Sequence, residues 1–184
     1  KLSLQDIFIL AAACVTAVFL IKIPDIFSIS MTDYLFYAKN AGIIVFSGLT
    51  LYLTIINRVF EPKRISLILA VFILLTIYSN FLPGNEESDS VNLAYIHLPI
   101  LMWFIFGLVF IDFNYKDKIR SIGFIRYNGD LVILIAIIAI AGGILTGITI
   151  GLFDAIGIDI ENFYMENIVV AGAVSAPVVA TFII

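Results

Sequence analysis

The chain has 184 residues, of which 62% are hydrophobic and 13% charged, with a net charge of −4 and a mean hydropathy of +1.13. A soluble domain has roughly a quarter of its residues charged, so a water-soluble fold of this length lacks the polar surface to hide so much apolar side chain. The ten Lys and Arg residues are scattered between apolar runs and form no phosphate-tracking face, which excludes nucleic acid as a partner; the single cysteine, Cys14, excludes an internal disulfide.

Apolar runs in chain order predict six transmembrane helices of about 20 residues each. The first, 5–23, ends at Pro24. Ala11-Ala12-Ala13-Cys14 resembles a processing site, but the apolar run continues unbroken to Ile23 and reads as a retained helix. Thr32-Asp33 is the expected N-cap of the second span, 34–57. Arg58, Glu61, Pro62, Lys63 and Arg64 form a polar turn before the third, 65–82. An acidic, turn-rich loop from Pro83 to Ser90, with Glu86, Glu87 and Asp89, precedes the fourth, 91–111. Asp112 to Asp130 reads as a longer loop carrying Lys116, Lys118, Arg120 and Arg126. The uncharged fifth span, 131–153, is followed by an acidic loop, Asp154 to Glu166, and the sixth span, 167–184.

The apolar–polar alternation of an outer-membrane strand is missing, and helices satisfy their own backbone in lipid. The expected fold class is therefore all-α, one polytopic membrane domain over 1–184 built as a bundle of about six transmembrane helices. Because it opens on Lys1 and stops within an apolar run, the chain is read as a segment of a longer protein. Lys and Arg gather in the loops after spans two and four, whereas the loops after spans three and five carry acids alone. The positive-inside rule then makes both ends of the segment cytoplasmic. Lys22 and Lys39 break this pattern at the outer ends of spans one and two, where snorkelling accommodates them.

Gly143, Gly147 and Gly151 share one helical face, and span six offers Gly172, Ala176 and Ala180. Small residues at this spacing let helices approach closely, so the two spans are expected to pack through these six positions. The alternative is a face that lines a path or moves. Pro177 is a kink or hinge position in span six. His97, the only histidine, sits about six residues into span four, at a depth comparable with Lys39, Asn40 and Asn80. Intramembrane polar groups seek partners, so these four form a candidate polar cluster; an interfacial histidine and a snorkelling lysine are the simpler reading.

The acidic loops lack the ordered spacing of a calcium site, and no metal or cofactor is expected. The basic segment Lys116 to Arg126 should attract anionic lipid at about 1 kcal/mol per basic residue. Tyr34, Tyr95, Tyr115, Tyr127 and Tyr164 fall near span boundaries, as belt aromatics do. Metalloprotease, nucleophile-elbow and phosphate-loop motifs are missing from the sequence, so no enzymatic activity is expected.

The stretch Leu93 to Leu108, with His97-Leu98-Pro99 followed by Trp103 and Gly107, resembles a helix in bacterial multi-pass membrane proteins grouped as domain of unknown function 4153. The resemblance covers this one helix. It implies an inner-membrane protein with no assigned activity. The leading expectation is a non-enzymatic sensor, scaffold or assembly module that meets the lipid bilayer and a further membrane or envelope protein. The alternative is a transporter or channel component with a polar path near His97. A weaker third reading is the membrane part of a lipid-handling enzyme.

Overall fold

The computed structural model describes residues 4–26, 33–56, 61–82 and 89–184, and every regular element among them is helical. Six helices among these residues are long and apolar enough to cross a membrane. They are α1 (Leu4–Ile21), α2 (Asp33–Ile56), α3 (Pro62–Phe81), α4 (Asp89–Phe110), α5 (Lys118–Ala155) and α6 (Glu161–Ile183). One further turn, Ile23–Ile26, follows α1. The cap expected at Thr32, the turn at Arg58 and the acids Glu86 and Glu87 lie outside the described residues.

Helix α2 is the centre of the bundle and packs against α1, α3, α4 and α6. Two of its glycines make this possible. A Cβ on Gly42 would lie 3.2 Å from Cγ of Pro99 on α4, and one on Gly48 would lie 3.5 Å from Cγ2 of Val178 on α6. Around these points Ala17, Ile21, Ile44 and Val174 form one buried cluster, and Ile43, Phe72, Leu98 and Met102 another. The third is aromatic. Phe106 is fully buried, and the rings of Phe46, Phe106, Phe110, Phe124 and Tyr127 form a connected set at centroid distances of 4.9 to 6.5 Å. Gly107 allows this approach, because a Cβ there would meet the Phe124 ring at 2.9 Å.

The helix ends are closed by two like motifs. The N–H of Phe113 reaches the carbonyl of Leu108 at 2.8 Å and that of Asp112 reaches Val109 at 3.0 Å; Ile158 and Gly157 repeat the pattern to Phe153 and Asp154. These are Schellman caps, which need a left-handed residue after the helix. Gly157, at φ 77°, supplies it without strain, and Asp112, at φ 55°, belongs to the residue type that tolerates it best after Gly and Asn.

Three expectations are corrected. Residues 118–130, read as loop, are the first third of α5, a 38-residue helix. Asp117 caps it, its carboxylate accepting from the N–H groups of Ile119 and Arg120. Phe124, Tyr127, Leu131, Leu134 and Ile138 then recur at three- and four-residue spacing and pack into the core. Of the charges that made this segment look like a loop, Lys118 and Arg126 lie off this face, whereas Arg120, one turn before Phe124, is paired with Asp112 and Asp117. Second, Tyr127 is a core residue rather than a belt residue, bonded through Oη to Oγ1 of Thr181 at 2.7 Å.

Third, the small-residue faces do not meet as expected. α5 and α6 do pack together, but Ala180 is buried among Tyr127, Leu131 and Val178, whereas a Cβ on Gly143, Gly147, Gly151 or Gly172 would find nothing within 4 Å. Ala176 is also buried. The seam that joins α5 to the bundle ends at Ile138, before the glycines begin. Gly107→Leu should therefore destabilise the detergent-solubilised protein by about 1–3 kcal/mol through overpacking, while Gly147→Leu leaves its thermal unfolding temperature unchanged; unfolding scans on both variants compare the two.

Candidate functional site

The densest inter-helical polar contacts of the described spans lie at the Asn40 end of α2. Asn40 and Asn80 form a reciprocal amide pair between α2 and α3, with Nδ2 to Oδ1 distances of 3.3 and 3.0 Å. Each amide also donates to its own helix, Asn40 to the Phe36 carbonyl and Asn80 to that of Thr76. Next to them Ser79, fully buried, donates through Oγ to the carbonyl of Lys39 at 2.9 Å. The Lys39 ammonium donates to the carbonyl of Leu82 at 3.0 Å and lies 6.0 Å from the centroid of the Tyr95 ring on α4. A cation there complements the negative C-terminal end of α3. The Tyr95 hydroxyl is buried without a hydrogen-bond partner among the described residues.

Three of the four candidate residues therefore meet, and His97 does not. Its side chain is exposed and its Nδ1 lies 2.7 Å from the carbonyl of Leu93, one turn back on its own helix. The reason is helical phase. Tyr95 faces Lys39, and two residues further on the helix has turned about 200°. Ser79 belongs to no pattern singled out in the sequence, and Tyr95, expected as a belt aromatic, lies beside the cluster. Ser79 adjoins Asn80, and a hydroxyl beside an amide at a span end was the available signal.

A second polar group holds the opposite end of α3. Arg64 pairs with Glu61 and with Asp112, and Arg120 approaches Asp112 and Asp117 at 3.4 Å. All these side chains are about a third or more exposed, so each pair contributes only about 0–1 kcal/mol. They tie the start of α3 to the turn between α4 and α5.

Between α1, α2 and α3 a cavity of about 400 Å³ opens beside the amide pair, with Asn40 and Asn80 in its wall. A smaller one of about 120 Å³ continues it along α2 and α3, sharing Ser47, Leu69 and Phe72. The hydroxyls along this groove are used within their own helices: Ser47 donates to Ile43 and Ile44, Thr50 to Phe46, Thr54 to Thr50 and Thr76 to Phe72. Among the described residues no three His, Cys, Asp or Glu side chains come together as metal ligands would.

Comparison with protein-family models, with curated proteins and with solved structures finds no match to this chain. The site therefore rests on its own geometry. That geometry is a structural clamp with an apolar groove beside it. Hydrogen bonds between transmembrane helices average about 0.6 kcal/mol and reach about 1.7. A double-mutant cycle of Asn40→Leu and Asn80→Leu, measured by unfolding in detergent, should return a coupling in that range. His97→Ala should change stability by less than about 0.5 kcal/mol, as exposed positions do.

Proposed function

We propose that the chain is the multi-pass transmembrane domain of an inner-membrane protein and acts as a non-enzymatic assembly module. The observation that carries this reading is the exposure of α5. It is the most hydropathic of the six helices, yet 6% of its most apolar stretch is buried, against 44% for α2. At 38 residues it is about 57 Å long, well beyond an apolar core of about 30 Å. Its second half carries Gly143, Gly147 and Gly151 with open space before each. In lipid, small residues on an apolar face favour close approach of another helix through backbone dispersion contacts. A further membrane or envelope protein is the partner this reading assigns.

The orientation belongs to the same proposal. The end that holds Arg64, Lys116, Lys118, Arg120 and Arg126 lies in the cytoplasm and meets anionic lipid, with both ends of the segment on that side. The resemblance of the α4 stretch to the domain of unknown function 4153 agrees with an inner-membrane protein without assigned activity. The scaffold and sensor variants of the reading share the same requirement for a partner.

The second reading is a transporter component, favoured by the row Asn40, Ser47, Thr50 and Thr54 along the groove of α2. Its hydroxyls are already bonded within the helix, which favours a dry groove over a wet path. A photoreactive residue at Ile148 in native membranes tests the first reading. The expected result is a discrete protein adduct that Gly147→Leu removes at unchanged expression; lipid adducts alone would overturn assembly through α5. Ser47→Cys on a Cys14→Ser background separates the second. Resistance to a water-soluble thiol reagent is expected, and rapid modification would move the transporter reading to first place.

A further inference from the structure

Four polar side chains reach the wall of the cavity between α1, α2 and α3, namely Asn40, Ser47, Thr76 and Asn80, and all four have spent their hydrogens. Each amide has two N–H groups: Asn40 donates to the Phe36 carbonyl and to Oδ1 of Asn80, and Asn80 donates to the Thr76 carbonyl and to Oδ1 of Asn40. This ring fixes both amide orientations, because a reversed amide would set its oxygen against a carbonyl oxygen of its own helix. Ser47 and Thr76 give their single protons to carbonyls about one turn back. Only lone pairs remain. Each Oδ1 accepts one bond and has room for a second, and both hydroxyl oxygens can still accept.

The rest of the wall is Leu, Ile and Phe. A volume of about 400 Å³ would take about a dozen waters, each in need of two to four partners, and four acceptor side chains satisfy few of them. A hydrocarbon body fills the same space with dispersion contacts. Leu69, Ile73 and Ile77 line the cavity and are also exposed, so it opens sideways along α3. The smaller cavity continues it as far as Thr54, about 21 Å along α2 from Asn40, and the Thr50 and Thr54 hydroxyls there are spent in the same way. An anion is unsuited to this wall, since phosphate or carboxylate would bring lone pairs to lone pairs. The Lys39 ammonium is engaged elsewhere, by the Leu82 carbonyl and the Tyr95 ring. Ester lipids fit poorly for the same reason, because their carbonyls find no donor.

We infer that this groove binds a single-chain lipid alcohol, its O–H donating to the paired amide oxygens of Asn40 and Asn80 and its hydrocarbon chain running between α2 and α3 toward Leu69 and Phe72. Asn80 is the penultimate residue of α3, so the hydroxyl sits at the end of a span and the chain extends along its length. The inference rests on the membrane reading of the chain and is independent of assembly through α5.

The intact protein in phosphatidylcholine vesicles tests it, with a trace of hexadecanol bearing a mid-chain diazirine or of its methyl ether, which has the same chain and no donor. Adducts from the alcohol are expected around Ser47, Leu69 and Phe72, exceeding those from the ether by about threefold to about seventeenfold, the range that one hydrogen bond within a membrane supplies. Ser47→Leu, or Thr76→Leu should the first variant fail to fold, fills the groove and should remove these adducts. Asn40→Leu with Asn80→Leu should lower labelling by the alcohol to the level of the ether. Equal labelling of the parent protein by both probes, labelling that survives the filled groove, or labelling spread evenly over all exposed helices would overturn the proposal. The exposed face of α5 is the internal reference, where both probes should label alike. Adducts there without adducts in the groove sink the alcohol site and leave the membrane reading intact, whereas adducts at neither sink both.

Discussion

Close approach to α2 is the constraint on which the rest of the bundle depends. Apolar helices side by side in lipid gain little from hydrophobicity, so their association relies on dispersion contacts that fall off within an ångström of gap. Gly42 brings α2 against Pro99 of α4, and Gly48 brings it against α6 and Ala17 of α1. Glycine inside a helix costs about 1 kcal/mol relative to alanine. That cost is offset at these positions by the neighbours they admit. Gly107 does the same at the contact of α4 with α5, where the Phe124 ring occupies the space a side chain would need.

Polar contacts act on this frame at its margins. The amide pair and Ser79 hold one end of α3, and the Arg64–Asp112 contact holds the other. Neither group is strong on the scale of domain stability, since each bond contributes about 1 kcal/mol or less. Their effect is positional. Fixing α3 at both ends leaves a groove along its middle, where Phe72 packs inward on Ile43 and Met102 while Leu69 and Ile73 face outward. The groove is thus a by-product of how α3 is attached, with the amide pair of Asn40 and Asn80 in its wall.

Helix α5 divides its length between two roles. Up to Ile138 it presents a seam of large side chains to α4 and α6. Beyond that point the face that would continue the seam carries glycines, and the helix is largely exposed, approached by the first turns of α6. A largely exposed stretch rich in Ile, Leu and Gly is stable in an apolar medium because a helix satisfies its own backbone. In water the same stretch would be an aggregation surface. The bundle is therefore self-contained around α2 and open along the far half of α5.

The sequence by itself determined the helical class, the number of helices and most of their limits, because unbroken apolar runs between polar turns permit little else. It also brought Lys39, Asn40 and Asn80 to a common depth, since rise per residue is fixed in a helix. It misread residues 118–130, where the charges Lys118, Arg120, Arg126 and Asp130 outweighed the seam of Phe124, Tyr127 and Leu131. Rotation about each helix axis was decided only in the tertiary structure. A turn of 100° per residue places Tyr95 toward Lys39 and His97 away from it, and depth along the chain carries no trace of that. The same holds for glycine. The stripe at Gly143, Gly147 and Gly151 has the stronger pattern, yet Gly42, Gly48 and Gly107 make the contacts, because what a missing side chain admits depends on which helix stands opposite.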